Sequence, residues 1–496
     1  MTSHLHTDPD HQSQSRRHVG RGGRAAPQAR GYTGRALLIW LITMIGLALM
    51  MNGSVTAPYR QIAFLALGLP LLAVLTQRLT RSVSRTLWRQ SIAGMVVLTL
   101  WGLLQSTPLP FGLLAHPVWD TLQDLGIAAQ PTISVAPAVT RAALPALMLP
   151  FLVFAAMILL CQTQREALFA WKALAVLGLA LAALSVLLEV AFPQTTFFSR
   201  FEVGRGAFNG IFVNRNTTAA FLGLAGFAIA GWLLMPRSKA QSTTPAATWF
   251  DRRRLVLGAL LFLLVITLIT TRSRAGVTLG LICLTLGFVA VFLLRPETDR
   301  TPVRRLGTKA KVVLTIAGGI GLFIAFGEPV ISRMGPEAED GRWCAYAATL
   351  KMFAERPLVG QGFGTFADAF PQFRDVDCLG SAGIWTRAHN SHLEFLAGMG
   401  AIGSLIALAL LGRMLQVLIR GVQERRSLKP LPIMTLAALA FMLGHSALDF
   451  PLQIPGVALY FAALMGVGCA IAVLEQGSGS RKSRRLSRTV QDAMVQ

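Results

Sequence analysis

Charge is scarce in this chain, and acid scarcer than base. Asp, Glu, Lys and Arg make up 14% of 496 residues, where a soluble domain carries about 25%. That shortage argues against an ordinary water-soluble fold. Cysteine is nearly missing as well: there are five, none in a CxxC pair. The histidines are not spaced as ligand pairs either, so nothing reads as a zinc site. No period of 20 to 50 residues recurs, which sets aside repeat architectures. No basic patch interleaved with aromatics lies on a soluble segment, so nucleic acid does not explain the net charge of +23.

Apolar residues take the vacant places. They form 53% of the chain, and the mean hydropathy is +0.55. Apolar runs long enough for a spanning helix lie at 36–51, 61–76, 91–106, 142–160, 172–192 and 217–235. Six more follow at 255–271, 276–294, 312–327, 390–411, 430–448 and 455–474. The expected fold is therefore all-α, a polytopic membrane protein of about twelve transmembrane helices. Residues 1–35 are expected to form a disordered basic cytoplasmic tail, 36–327 spans one to nine, and 328–388 a long periplasmic loop. Spans ten to twelve follow in 389–474, then a basic cytoplasmic tail in 475–496.

With the first tail inside, every second loop is basic: Arg78 to Arg89, Arg237 to Arg254, Arg295 to Lys311, Arg413 to Lys429, and Arg481 to Arg488. This is the positive-inside pattern, and contact with anionic membrane lipids is its consequence.

Polar islands then stand out on the opposite side, where ionisable groups cluster by a bilayer and a functional site is the default expectation. His389 precedes the tenth span. A histidine titrates near pH 6.5, so it is a candidate base; the alternative is an interfacial histidine bonded to a loop carbonyl. Ser391 and Glu394 form an S-x-x-E capping pattern, which makes Glu394 structural before catalytic. Gly398, Gly400 and Gly403 are expected to let neighbouring helices approach. Arg272 and Arg274 sit in an outer turn and Arg215 at an outer helix start, against the charge rule. Arginine forks bind phosphate, and a helix N-terminus favours the same anion. Arg342 can join them or pair with Glu337, Glu339 or Asp340. His445 and Asp449, four apart, share a helix face. Glu189 snorkels at a span end. Cys344 and Cys378 share the long outer segment, where an oxidising compartment allows them to bridge, while Cys161, Cys283 and Cys469 pack as small apolar groups.

These islands carry a family resemblance. Gly341-Arg342-Trp343, Met352 to Gly360, Gly362-Phe363-Gly364 and Phe366 resemble the long-loop signature of the O-antigen ligase and polysaccharide polymerase superfamily. His389-Asn390, with Gly400 and Gly403, resembles that family's H-[NSQ]-x9-G-x-x-G pattern. Arg272 to Gly276 is similar to its arginine turn, and Phe212 to Asn216 to its N-x-N element. The resemblance implies a GT-C-like, metal-independent, inverting glycosyltransferase with no cofactor. Its donor would be a glycan on undecaprenyl diphosphate, and its acceptor a glycan or lipid A core, at the periplasmic face of the inner membrane. It assigns His389 as base and Arg272, Arg274 and Arg215 to the diphosphate, with Arg342, Asn390, Glu394, His445 and Asp449 supporting. Ligase, polymerase and protein glycosylation all remain open. A twelve-span transporter of a glycolipid or other anionic substrate is the rival. Transporters, however, keep their polar groups near the midplane and often in repeated halves, whereas here they gather at span ends.

Overall fold

A computed structural model describes residues 26–78, 85–108, 112, 114–128, 130–193, 208–236, 252–294, 307–326, 340–375, 385–425 and 427–474. Among the described residues every regular element is helical. In order they are α1 (Ala26–Met50), α2 (Ala57–Arg78), α3 (Arg85–Gln105), a short α4 (Val118–Asp124), α5 (Pro137–Leu160), α6 (Gln164–Ala191) and α7 (Arg215–Leu234). Then come α8 (Arg252–Thr270), α9 (Arg274–Leu293), α10 (Thr308–Phe326), α11 (Asp340–Glu355), α12 (Phe366–Phe373), α13 (Ser391–Glu424), α14 (Pro430–Ser446) and α15 (Pro455–Val473). Each of the twelve apolar runs falls on one of these helices. Among the described residues, eight helices are long and apolar enough to cross a membrane, and two shorter apolar stretches, Gly34–Met50 and Pro430–Ser446, accompany them. α1 already begins at Ala26, within the stretch expected as a tail.

Most of α7 and α15 is buried, and the other long helices pack around them. Both are rich in Ala and Gly, so their neighbours come close; in a lipid setting such close packing replaces the hydrophobic drive. The large buried side chains keep their polar tips satisfied. The Trp171 indole N–H donates to the Ala228 carbonyl at 2.8 Å, and the Tyr460 hydroxyl to that of Leu174 at 2.9 Å. Outward, Leu65, Leu69, Leu187, Leu263, Leu286 and Leu405 are exposed. Such a belt of bare leucine suits hydrocarbon rather than water.

The two ends of the bundle differ. At one, Arg253 donates to the Trp232 carbonyl, Arg413 to Gln90 and Arg425 to the Ala472 carbonyl. At the other, Asn52 accepts from the Val213 N–H and Asn216 donates to Asp449, and His389 stands beside this second group.

The long segment before α13 is folded. α11 and α12 share a small core of Ala345, Ala348, Met352, Phe366 and Phe370, with Trp385 packed against it. They form a cap docked on α13 through a break in that helix. Gly400 adopts φ 65° and ψ −174°, a region essentially reserved for glycine. The break strands backbone groups that the loop before α12 then satisfies. Gln361 N–H donates to the Ala397 carbonyl at 2.9 Å and Gly362 N–H to that of Gly398 at 3.0 Å. In return, Ala401 N–H donates to the Pro357 carbonyl at 2.8 Å and Ile402 N–H to that of Leu358 at 3.3 Å. A side chain at Gly400 would overlap the Leu358 carbonyl, and one at Gly360 the Gly398 carbonyl. Gly398 and Gly400 thus admit a loop backbone rather than a neighbouring helix, because this pairing needs two main chains in contact. Gly403 instead lies against the Met399 and Trp101 side chains.

Two buried amides lock the joint. Gln105 donates to the Val359 and Gly398 carbonyls at 2.7 and 2.9 Å and accepts from the Phe363 N–H at 3.2 Å. Gln361 donates to the Met352 carbonyl at 2.8 Å, and its side-chain oxygen lies 2.7 Å from His116 Nε2. Because His116 Nδ1 accepts from the Val118 N–H at 3.1 Å, its Nε2–H is the donor to that oxygen when the ring is neutral; burial lowers its pKa below the ordinary histidine value.

Candidate functional site

His389 is held in place from both sides along the chain. Before it, the Ala388 N–H donates to Glu394 at 2.8 Å, and Arg387 pairs with the same carboxylate at 3.1 Å. After it, Asn390 caps α13, its side-chain oxygen accepting from the His392 and Leu393 N–H groups at 3.1 and 3.0 Å. Between these anchors His389 takes φ 53°, a left-handed conformation histidine tolerates better than most residues. The cap is therefore Asn390, one residue earlier than the S-x-x-E pattern implies. Ser391 is instead the first helical residue, and its hydroxyl and N–H both donate to the Asp449 carbonyl at 3.3 Å. Glu394 is structural as read, but it reaches back past the cap to Ala388.

The His389 ring lies between Trp385 and Phe450, edge to face, with centroids 5.3 and 4.9 Å away. Its Nδ1 faces Asp449 Oδ1 at 3.8 Å. That is too long for a hydrogen bond, and Nδ1 has no other partner among the described residues.

Asp449 is the hub. It is 2% exposed, yet α7, α11, α13 and its own chain all converge on it. Asn216 donates to its Oδ2, Arg342 lies 3.6 Å from the same oxygen, and the Phe450 N–H donates to Oδ1 at 2.8 Å. Burial alone would raise its pKa, but His389, His445 and Arg342 around it hold the carboxyl below the ordinary range. Arg342 also donates to the Leu448 carbonyl at 3.1 Å. Among the described residues it therefore pairs with Asp449; of the local acids considered from sequence, Glu337 and Glu339 lie outside the described residues.

His445 lies in the last turn of α14 and Asp449 three residues past its end, where the Asp449 N–H still donates to the His445 carbonyl at 2.9 Å. Their side chains diverge in function. The carboxylate turns to other elements, while neither ring nitrogen of fully buried His445 has a hydrogen-bond partner among the described residues. The ring packs on Phe441 and lies against Gly276 in the first turn of α9.

The arginines reach this cluster through their chain neighbours. Arg215 opens α7 beside Asn216, after the Asn214 cap. Arg274 opens α9 two residues before Gly276, after the Ser273 cap. Arg272 is exposed at φ 51° in the turn between α8 and α9. Two helix N-termini with guanidinium groups at the first position thus face the end that carries His389, an arrangement suited to a phosphate. Among the described residues, no group of three His, Cys, Asp or Glu side chains is placed to hold a metal ion. Cys344 is disulfide-bonded; its expected partner, Cys378, lies outside the described residues. Cys161, Cys283 and Cys469 are free and buried.

Gln105, Gln361 and His116 escaped the sequence reading, and Asn216 entered it only within the N-x-N element. Gln361 left one signal, a polar residue between two glycines; for Gln105 and His116 no local pattern marks the partner, which lies hundreds of residues away.

Comparison with curated proteins returns no match. Comparison with family models matches residues 259–408 to the one described as O-antigen ligase. That stretch carries Arg272, Arg274, the docked loop, the α13 break and His389, whereas Arg215, Asn216, His445 and Asp449 lie beyond it.

Proposed function

The match over residues 259–408 places this multi-pass membrane protein in the O-antigen ligase-related superfamily, and on that premise we propose that it is a metal-independent inverting glycosyltransferase. All twelve long helices cross the bacterial inner membrane, and the site opens to the periplasm. The donor is a glycan on undecaprenyl diphosphate, and the acceptor hydroxyl belongs to lipid A core or to another carrier-linked glycan. His389 accepts the hydroxyl proton through Nε2 as the oxygen attacks the anomeric carbon. The new C–O bond forms while the bond to diphosphate breaks, and that electron pair leaves with the phosphate. A single displacement inverts the anomeric centre. Arg272, Arg274 and Arg215 stabilise the departing charge, the term that fixed donors supply best in a water-poor site.

The observation that carries this reading is the His389–Asp449 pair. A buried carboxylate facing Nδ1 orients the ring and favours the imidazolium that forms. A contraction of about 1 Å turns the contact into a hydrogen bond, the kind of tightening expected when substrate binds. Arg342 and Asn216 keep the carboxylate in place, and Asn390 and Glu394 keep the ring's backbone in place.

The test is transfer by purified protein in nanodiscs, with labelled glycan on undecaprenyl diphosphate, with and without lipid A core. One adduct on lipid A core identifies a ligase; a ladder on the carrier identifies a polymerase. His389→Ala is expected to lose at least a hundredfold in rate, the low end for general base catalysis, while staying folded. Undiminished turnover in that variant removes His389 as the base, and no transfer by the wild type moves weight to transport.

A further inference from the structure

The cap presents exposed aromatic surface at the site, which the proposed chemistry does not yet use. Ala345, Ala348 and Met352 turn one face of α11 into the cap core. Trp343, on the other face, is 64% exposed. Bare indole is costly in water, and this one is not loosely placed. Its neighbour Arg342 is tied to Asp449 and to the Leu448 carbonyl. Its ring meets Tyr346 edge to face, with centroids 5.7 Å apart. The Tyr346 hydroxyl donates to the carbonyl of His389 itself at 3.1 Å. Trp385, half-buried, packs against the other part of the same residue, its ring. Tyr346 and Trp385 thus contact the backbone and ring of the candidate base, and Trp343 joins them through Tyr346. Arg342 and Arg387, each paired with a buried carboxylate, stand among them with further N–H donors.

A pyranose ring has the matching chemistry: an apolar C–H face that stacks on an aromatic ring, and a rim of hydroxyls that accept from guanidinium. We propose that Trp343, supported by Tyr346 and walled by Trp385, seats the acceptor's sugar ring so that one hydroxyl reaches His389. The inference rests on the glycosyl-transfer reading and deepens it, because it names the residues that seat the acceptor's sugar ring. The acceptor is the substrate assigned to these rings because the base must touch the acceptor oxygen, and Tyr346 and Trp385 contact the base while Trp343 contacts Tyr346. Trp343 is a positioning residue here, not a catalytic one.

The experiment is saturation-transfer NMR on the full chain in nanodiscs, using delipidated lipopolysaccharide core oligosaccharide and, separately, a repeat-unit oligosaccharide freed from its carrier. Wild type is expected to saturate the C–H protons of one sugar ring. Trp343→Leu, apolar but not aromatic, is expected to weaken binding about tenfold, as one aromatic contact warrants, and Trp343→Phe to retain most of it. In the transfer assay Trp343→Leu raises KM for the acceptor and leaves kcat little changed. Equal saturation by wild type and Trp343→Leu overturns the proposal and makes Trp343 an interfacial anchor, a usual place for tryptophan. Absence of binding for both oligosaccharides in a wild type that transfers overturns it too. Binding that depends on Trp343 in a protein that transfers nothing would keep the subsite and sink the transferase reading.

Discussion

One buried carboxylate, Asp449, faces the candidate base. Asp449 sits where four segments meet, and its depressed pKa reports the positive partners that outweigh its burial. A carboxyl whose pKa is lowered on folding adds stability that is fully present above the unfolded value, about 3.9. That stability is lost as pH falls through the lower, folded value, because there the unfolded chain binds more protons. Wild-type melting temperature in detergent should therefore drop steeply only below about pH 4. Asp449→Asn should flatten that limb and cut transfer by roughly a hundredfold or more, since the amide neither orients nor charges in the same way. An unchanged acid limb in the variant would count against the hub. The four-residue spacing of His445 and Asp449 keeps them one helical turn apart, though Asp449 lies past the helix end, and nothing local shows that the carboxylate faces His389, sixty positions earlier.

Among the elements, the break in α13 has the widest consequence. Four backbone groups exchanged with the loop at 357–362 join cap to bundle, and glycine is required where the two main chains touch. Gly400→Ala combines backbone strain of about 1–3 kcal/mol with direct overlap on the Leu358 carbonyl. The expected outcome is loss of hydrogen-exchange protection at the N–H groups of Gln361 and Gly362, with α7 and α15 still protected. Protection unchanged at the loop would show that the pairing is dispensable. The glycines were visible in the sequence, but helical periodicity continues straight through Gly400, so the break was not. The capping residue moved by one for a similar reason: the competing use of Ser391 comes from Asp449, on a different element.

For the whole molecule the matter is orientation. The belt of exposed leucine, the end holding Arg253, Arg413 and Arg425, and the opposite end holding His389 fit a bundle with its basic end inward. Single cysteines test this in intact spheroplasts, since the native free thiols are buried and Cys344 is bonded. Gln372→Cys, exposed on the cap, should react with an impermeant reagent from outside. Gln423→Cys, exposed at the far end of α13, should react only after lysis. The reverse pattern would invert the orientation.

Hydrophobic run length and charge placement were enough to locate the helices and the two ends, because each depends on one segment's own transfer from water to lipid. The motif around His389, the arginine turns and the docked loop were also legible, since each is a short contiguous pattern. The partners of His389, the pairing of Arg342 with Asp449, the buried amides and the aromatic edge on the cap were not. Most of these contacts join segments far apart in the chain. Burial forces such polar groups to find partners wherever packing brings them together, and that choice is made only when the helices assemble.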